Sequence, residues 1–199
     1  MYRKTWMQVN LDKIEHNLIQ LKEICQKKII AVLKADAYGC GDIHVARAVL
    51  EAGAEMIAVS SLDEALVLRN EGYEGKLLIL GATEANDIPV LIKYGISCTA
   101  YSTEWVLDAA KQNCKGLHVH LKVDTGMSRI GFRTIDELHF AFEKLQAASC
   151  DMEGIFTHFC CADSDLDLTN RQFSKFKEAV ESFSYTFPWV HCDNSDATA

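Results

Sequence analysis

Proline is nearly missing from this 199-residue chain: Pro89 and Pro188 are its only two. No proline-rich linker, low-complexity segment or long-period repeat divides the sequence, and with 49% hydrophobic residues it can bury a sizeable core as one domain. No stretch approaches the roughly 18 apolar residues of a membrane span. The start, Met1-Tyr2-Arg3-Lys4-Thr5-Trp6, also lacks the apolar core of a signal peptide, so a cytoplasmic chain without a membrane segment is expected. A Lys/Arg stripe is absent and the formal charge is -8, which argues against a nucleic-acid partner. A small anionic metabolite would need a local positive site. Gly-x-Gly-x-x-Gly is absent too, so a phosphate would have to be held by several loops rather than by one glycine-rich cradle.

Cysteine is plentiful but is not arranged for metal or disulfide work. The eight residues Cys25, Cys40, Cys98, Cys114, Cys150, Cys160, Cys161 and Cys192 include no Cys-x-x-Cys pair, and several lie in apolar strand-like runs. Reduced, mostly buried thiols are expected. The nearest approach to a metal cluster is His158, Cys160, Cys161 and Asp163, whose spacing is not that of a zinc site, so no metal is expected.

What is present is an alternation. Short β-branched or apolar runs near 29–34, 56–60, 77–80, 96–100, 117–123, 152–158 and 188–192 are separated by segments of helical period. That is the pattern of parallel βα units, and the fold class expected is α/β, a (β/α)8 TIM-type barrel, incomplete, with about seven units where a closed barrel has eight. A helix carrying Leu11, Ile14, Leu18, Leu21 and Ile24 or Cys25 on one face precedes the first strand. Helix starts are predicted at Asp42, at Ser61 with Glu64, at Thr83, at Thr134 with Glu137 and at Thr169 with Gln172. Gly53, Gly72 and Gly95 are predicted C-terminal stops.

In such barrels the site lies at the carboxyl ends of the strands. Lys34, Arg129, His158 and Ser195 all end or follow predicted strands, so the fold would bring them to one rim. Lys34 ends the apolar run Ala31-Val32-Leu33 and is followed by Ala35-Asp36-Ala37-Tyr38-Gly39. Partial burial there would lower its pKa and make the amine a nucleophile toward a carbonyl cofactor; a surface lysine after a buried strand is the bland alternative. Arg129 can orient a carboxylate by forked hydrogen bonds, or simply be solvated. Lys122 shares strand parity with His118, His120 and Asp124 and should point inward, where a bare ammonium is costly. The two histidines are read as satisfied lumen residues rather than a metal pair. Tyr38 is either a phosphate contact or a packing aromatic, and Asn194 either a contact or a turn former.

Lys34-Ala35-Asp36-Ala37-Tyr38-Gly39, Lys122-Val123-Asp124-Thr125-Gly126-Met127-Ser128-Arg129-Ile130-Gly131-Phe132, Gly154-Ile155-Phe156-Thr157-His158-Phe159, Ala162-Asp163 and Asn194-Ser195 follow one another in a familiar order. Together they resemble the amino-terminal barrel of the alanine racemase family, over most of the chain. The resemblance implies one pyridoxal-phosphate-binding barrel domain over 1–199, with an eighth strand and a β-rich domain following in the family. It implies that Lys34 holds the pyridoxal 5'-phosphate, that Tyr38, Ser195 and Asn194 contact its phosphate, and that Arg129 faces its phenolic oxygen and the substrate carboxylate. Lys122 would be carbamylated and brace Arg129, and His158 would lie near the ring and orient an arginine outside this chain. The implied activity is interconversion of L- and D-alanine for peptidoglycan precursors, by a homodimer whose second base is a tyrosine of the partner's β-domain. Residues 1–199 alone would then be inactive. Asp36 stands where many relatives have asparagine and Cys40 where histidine is frequent. Serine racemases of the vancomycin-resistance type, a non-catalytic pyridoxal-phosphate-binding barrel and an inactive interaction module are the alternatives.

Overall fold

The computed structural model describes residues 4–198. Seven parallel strands follow in chain order: β1 (Ile30–Val32), β2 (Met56–Val59), β3 (Leu77–Ile79), β4 (Cys98–Ala100), β5 (His118–Lys122), β6 (Asp151–Phe156) and β7 (Trp189–His191). Each pairs with the next, and β3 is linked to β4 through a Leu78–Ser97 bridge with Ile79 N–H donating to Ser97 O at 2.9 Å. The result is one curved parallel arc. Its two ends approach each other: Lys28, just before β1, places its ammonium 5.1 Å from the ring of Trp189 on β7.

Between the strands run α1 (Leu11–Cys25), α2 (Lys34–Gly39), α3 (Asp42–Glu51), α4 (Leu62–Asn70), α5 (Ile88–Tyr94), α6 (Thr103–Ala109), α7 (Ile135–Ala147), α8 (Leu166–Glu181) and α9 (Ser195–Thr198). They cover the outer face of the arc, and β2, β3 and β4 are therefore buried on both faces, as parallel strands under helices should be. α1 packs on α3 as a cover with only Leu18 fully buried.

Alternation divides the apolar residues into two cores. Ile57, Val59, Leu77, Ile79, Val119, Leu121 and Ile155 join the helices in the outer one. Met56, Ala58, Leu78 and Trp189, with Ile30, Val32 and Leu80, fill the lumen beside β1 to β3. The lumen beside β4 to β7 is polar instead, holding Ser97, His120, Lys122 and Glu153. A β-bulge contributes: Val119 pairs with Met152 but His120 with Gly154, so Glu153 is the extra residue. A Cβ on Gly154 would stand 2.4 Å from His120 Nδ1, so glycine makes room for that ring.

Some predicted caps hold and others move. Ser61 accepts from Glu64 N–H at 3.3 Å, and Thr134 with Glu137 forms a full capping box. Gly53, Gly72 and Gly95 follow or end their helices with φ of 97°, 88° and 58°. Thr83 does not cap: the short 3-10 turn Ala85–Asp87 starts at Glu84 without a side-chain bond, and the Thr83 hydroxyl is buried without a partner. Thr169 lies inside α8, which Asp165 caps by accepting Leu168 N–H at 2.8 Å. Asp42 opens α3 as predicted and its carboxylate accepts Ile43 N–H at 2.7 Å, while Gly41 occupies the cap position and Asp36 accepts Asp42 N–H at 2.9 Å. At α8 the local sequence offers competing oxygens and the chain path selects Asp165, whereas at Thr83 it selects none. The cysteines are all free, but only Cys98, Cys114 and Cys150 are buried; Cys25, Cys40, Cys160, Cys161 and Cys192 are partly exposed because they sit at element ends.

The loops after β2 and β3 run close together: a Cβ on Gly81 would clash with Ser60 O. Gly81→Ala is expected to destabilise the fold by about 1–3 kcal/mol through overpacking, read as a lower urea midpoint at unchanged slope. An unchanged midpoint would show that the two loops separate freely.

Candidate active site at the carboxyl ends of the strands

The backbone after β1 is unusual. Ala35, Asp36, Ala37 and Tyr38 all have φ between 52° and 57°, so α2 is a left-handed turn rather than an ordinary helix. It is closed by Ala37 N–H to Leu33 O at 3.0 Å and Gly41 N–H to Asp36 O at 3.0 Å. Left-handed geometry costs roughly 1–2 kcal/mol per L-residue, and with no glycine among the four the turn requires outside support. Glu64 on α4 supplies it, accepting Ala35 N–H at 2.9 Å and Ser60 N–H at 2.7 Å. Burial of this carboxyl raises its pKa, yet the donors from Ala35, Ser60 and Ser61 hold it below the ordinary value. Lys34, half-buried at the start of the turn, carries its ammonium 5.7 Å from the ring of Tyr38, which is 65% exposed.

Lys122, at the end of β5, is 2% exposed, as its strand parity predicts. Its ammonium donates to Val123 O at 2.8 Å and sits 5.4 Å from the ring of Phe156. Burial pushes its pKa down to about 8, the charge of Arg129 acting in the same sense and Asp124 opposing both. Asp124 is already committed. It accepts Gly126 N–H at 3.1 Å, Ser128 N–H at 2.8 Å and Arg133 Nε–H at 3.2 Å, shaping the loop from which the exposed Arg129 projects.

His158, half-buried just beyond β6, is held below its ordinary pKa by burial and then by the charges of Arg129, Lys122 and Lys34. These four residues, far apart in sequence, thus sit within electrostatic reach of one another. Ser195 is exposed at the first position of α9, and Asn194 caps that helix by accepting Ala197 N–H at 3.0 Å, the turn-forming alternative for this residue. His120 is a buried lumen residue as expected, whereas His118 is partly exposed and pairs with Asp151 at 2.8 Å at the opposite end of the barrel.

The family profile described as alanine racemase, N-terminal domain, matches residues 9–199. The chain is 42% identical to "Alanine racemase 1" of Oceanobacillus iheyensis over 99% of its own length and 55% of that protein's. It is 39% identical to "Alanine racemase 1" of Bacillus subtilis over 98% of its length and 52% of that protein's. The chain belongs to the alanine racemase family. Its fold superposes on alanine racemase from Bacillus anthracis with bound L-Ala-P, TM-score 0.90 at 36% identity, covering all of this chain and 54% of that one. A histidine racemase from Leuconostoc mesenteroides is similar at TM-score 0.88 and 30% identity, over 94% of this chain and 52% of that one. The chain spans about half the length of these relatives.

Two supports of this alanine racemase barrel escape a reading of the sequence. Gln172, buried on α8, donates to Thr125 Oγ1 at 3.3 Å and accepts Cys160 N–H at 3.2 Å, tying the loop after β5 to the loop after β6. Glu64 looks in sequence like the second member of a capping box, but its carboxylate reaches across to the loop that carries Lys34. Only the helical position of Gln172, one turn from Thr169, hinted that it faces inward. Glu64→Gln is expected to cost about 1–2 kcal/mol, since each oxygen now accepts charge-assisted bonds. Because the folded-state pKa lies below the ordinary 4.5, this stabilisation is present above that pH and fades as pH falls through the lowered pKa. The gap between wild-type and Glu64→Gln urea midpoints should therefore close in acid; a constant gap would assign the loss to packing.

Proposed function

We propose that this chain forms the cofactor barrel of a pyridoxal-phosphate-dependent alanine racemase, an isomerase interconverting L- and D-alanine. The observation that supports it most directly is a half-buried lysine, Lys34, at a strand end within electrostatic reach of Arg129, Lys122 and His158, where the carboxylates of Asp124 and Glu64 are committed to backbone N–H groups of the loops. Such a gathering of cations suits a phosphorylated, anionic cofactor and an amino-acid carboxylate.

When bound, pyridoxal phosphate supplies an electron sink that acidifies the Cα–H of an amino acid. The residues of this chain have separate tasks. Lys34 Nζ would hold the cofactor covalently and is placed to take or return the α-proton on one face. Arg129 orients the substrate carboxylate and offsets negative charge on the cofactor's phenolic oxygen. Tyr38 and Ser195, with Asn194 shaping the turn, hold the phosphate. His158, kept neutral by burial and three cations, donates or accepts without adding charge. The neutral Lys122 amine would add carbon dioxide and release one proton to become a carbamate, replacing a like charge beside Arg129 by an opposite one. The proton on the other face is assigned to no residue of this chain, in keeping with a homodimer whose partner supplies it. A cytoplasmic place and a role in peptidoglycan precursor supply go with this reading. Relatives named alanine racemase do not favour the serine or non-catalytic alternatives, and a protein named histidine racemase shares the barrel fold.

Borohydride reduction of the protein with pyridoxal phosphate, followed by peptide mapping, is expected to label Lys34, and Lys34→Ala to abolish the label. Label on Lys76 or Lys122 would refute the assignment. With 13C-bicarbonate, a carbamate resonance absent from Lys122→Ala is expected. It should grow as pH rises toward 8, because only the neutral amine reacts. A resonance that survives the substitution would place the carbamate elsewhere.

A further inference from the structure

Below the rim, the polar half of the lumen holds a chain of groups that the reaction outlined above does not use. Lys76 Nζ, at the start of β3, and Ser97 Oγ both donate to the carboxylate of Glu153. Glu153 Oε2 lies 3.3 Å from His120 Nε2, and His120 Nδ1 lies 3.0 Å from His191 Nε2. His120 is wholly buried and Glu153 is 5% exposed. The His191 ring lies parallel to Phe156, with centroids 4.7 Å apart and planes 4° apart, and it is the Phe156 ring that Lys122 approaches. The chain of contacts therefore runs from the amino-terminal end of the barrel up to the layer of Lys122.

The hydrogen positions follow from donor and acceptor inventory. An ionised carboxylate only accepts, and Lys76 keeps Glu153 ionised, so His120 Nε2 carries a hydrogen. Burial, together with the charges of Lys76 and His118, opposes a second proton on His120 despite Glu153, which leaves Nδ1 as an acceptor. His191 Nε2 must then be the donor of the 3.0 Å contact. Burial, with His120 and Lys122 adding to it, opposes a second proton on His191 as well, so its Nδ1 is bare.

We propose that Glu153 is a positioning residue that sets, through His120, the tautomer of His191, so that the last residue of β7 offers the site an acceptor nitrogen rather than another donor. Before cofactor and carbon dioxide are taken up, the charged groups Lys34, Lys122 and Arg129 near the rim are all hydrogen donors, and a neutral acceptor among them avoids adding a further N–H to that set. The benefit to catalysis rests on the cofactor reading given above; the tautomer itself does not.

Long-range 1H–15N spectra of the uniformly labelled protein at neutral pH test this without any cofactor, so the outcome is independent of Lys34 labelling. The expected result is a neutral His120 and a neutral His191, each with its hydrogen on Nε2. In Glu153→Gln the amide oxygen is expected to turn to Lys76 and the NH2 to His120, moving the hydrogen of both rings to Nδ1. Ser97→Ala keeps the carboxylate and should leave both tautomers as they are, which gives a second variant if Glu153→Gln does not fold. A doubly protonated His120, a wild-type His191 with its hydrogen on Nδ1, a folded Glu153→Gln with His191 unchanged, or a tautomer switch in Ser97→Ala would each overturn the proposal.

Discussion

Like charges converge where seven parallel strands end, because parallel strands in one arc must bring all their carboxyl ends to the same rim. Lys34 from β1, Lys122 from β5 and Arg129 from the following loop meet there, and the carboxylate between them, Asp124, is turned to its own loop and to Arg133. Uncompensated, this arrangement is unfavourable: burial first, and these like charges after it, hold Lys122 and His158 below their ordinary pKa values. The surrounding fold bears the cost through its two apolar cores.

The same rim carries the greatest backbone strain. Four consecutive left-handed residues follow Lys34, and their own backbone bonds, Ala37 N–H to Leu33 O and Gly41 N–H to Asp36 O, are joined by a carboxylate from the next βα unit, Glu64, which accepts Ala35 N–H. Lys34 is thus held by β1 below it and by α4 beside it, so the direction of its side chain depends on two units at once. Gln172 does the same for the loops after β5 and β6. Positioning by neighbouring units keeps the site's residues in register with the barrel rather than with their own flexible loops.

The lumen is divided in a way that serves both stability and chemistry. Met56, Ala58, Leu78 and Trp189 close one half with apolar packing. The other half contains a fully partnered polar chain, and its members are tolerated inside because each finds a hydrogen-bonding neighbour. The bulge at Glu153 and the missing side chain of Gly154 make space for His120 in this chain.

Much of this was legible in the amino-acid order. The alternation of apolar runs and helical segments gives all seven strands, strand parity turns Lys122 inward, and the motifs around Lys34 and Arg129 carry the family resemblance, because each depends on local period or on a contiguous string of residues. The caps at Thr83 and Thr169, the left-handed sense of the turn after Lys34 and the reach of Glu64 were not, since each is settled by which of several local partners the neighbouring unit supplies. Glu153, His191 and Gln172 stand in no motif of their own. Only folding places them against His120, Phe156 and Thr125, because a contact between residues tens of positions apart is decided by sheet register and helix docking, neither of which any short stretch of sequence contains.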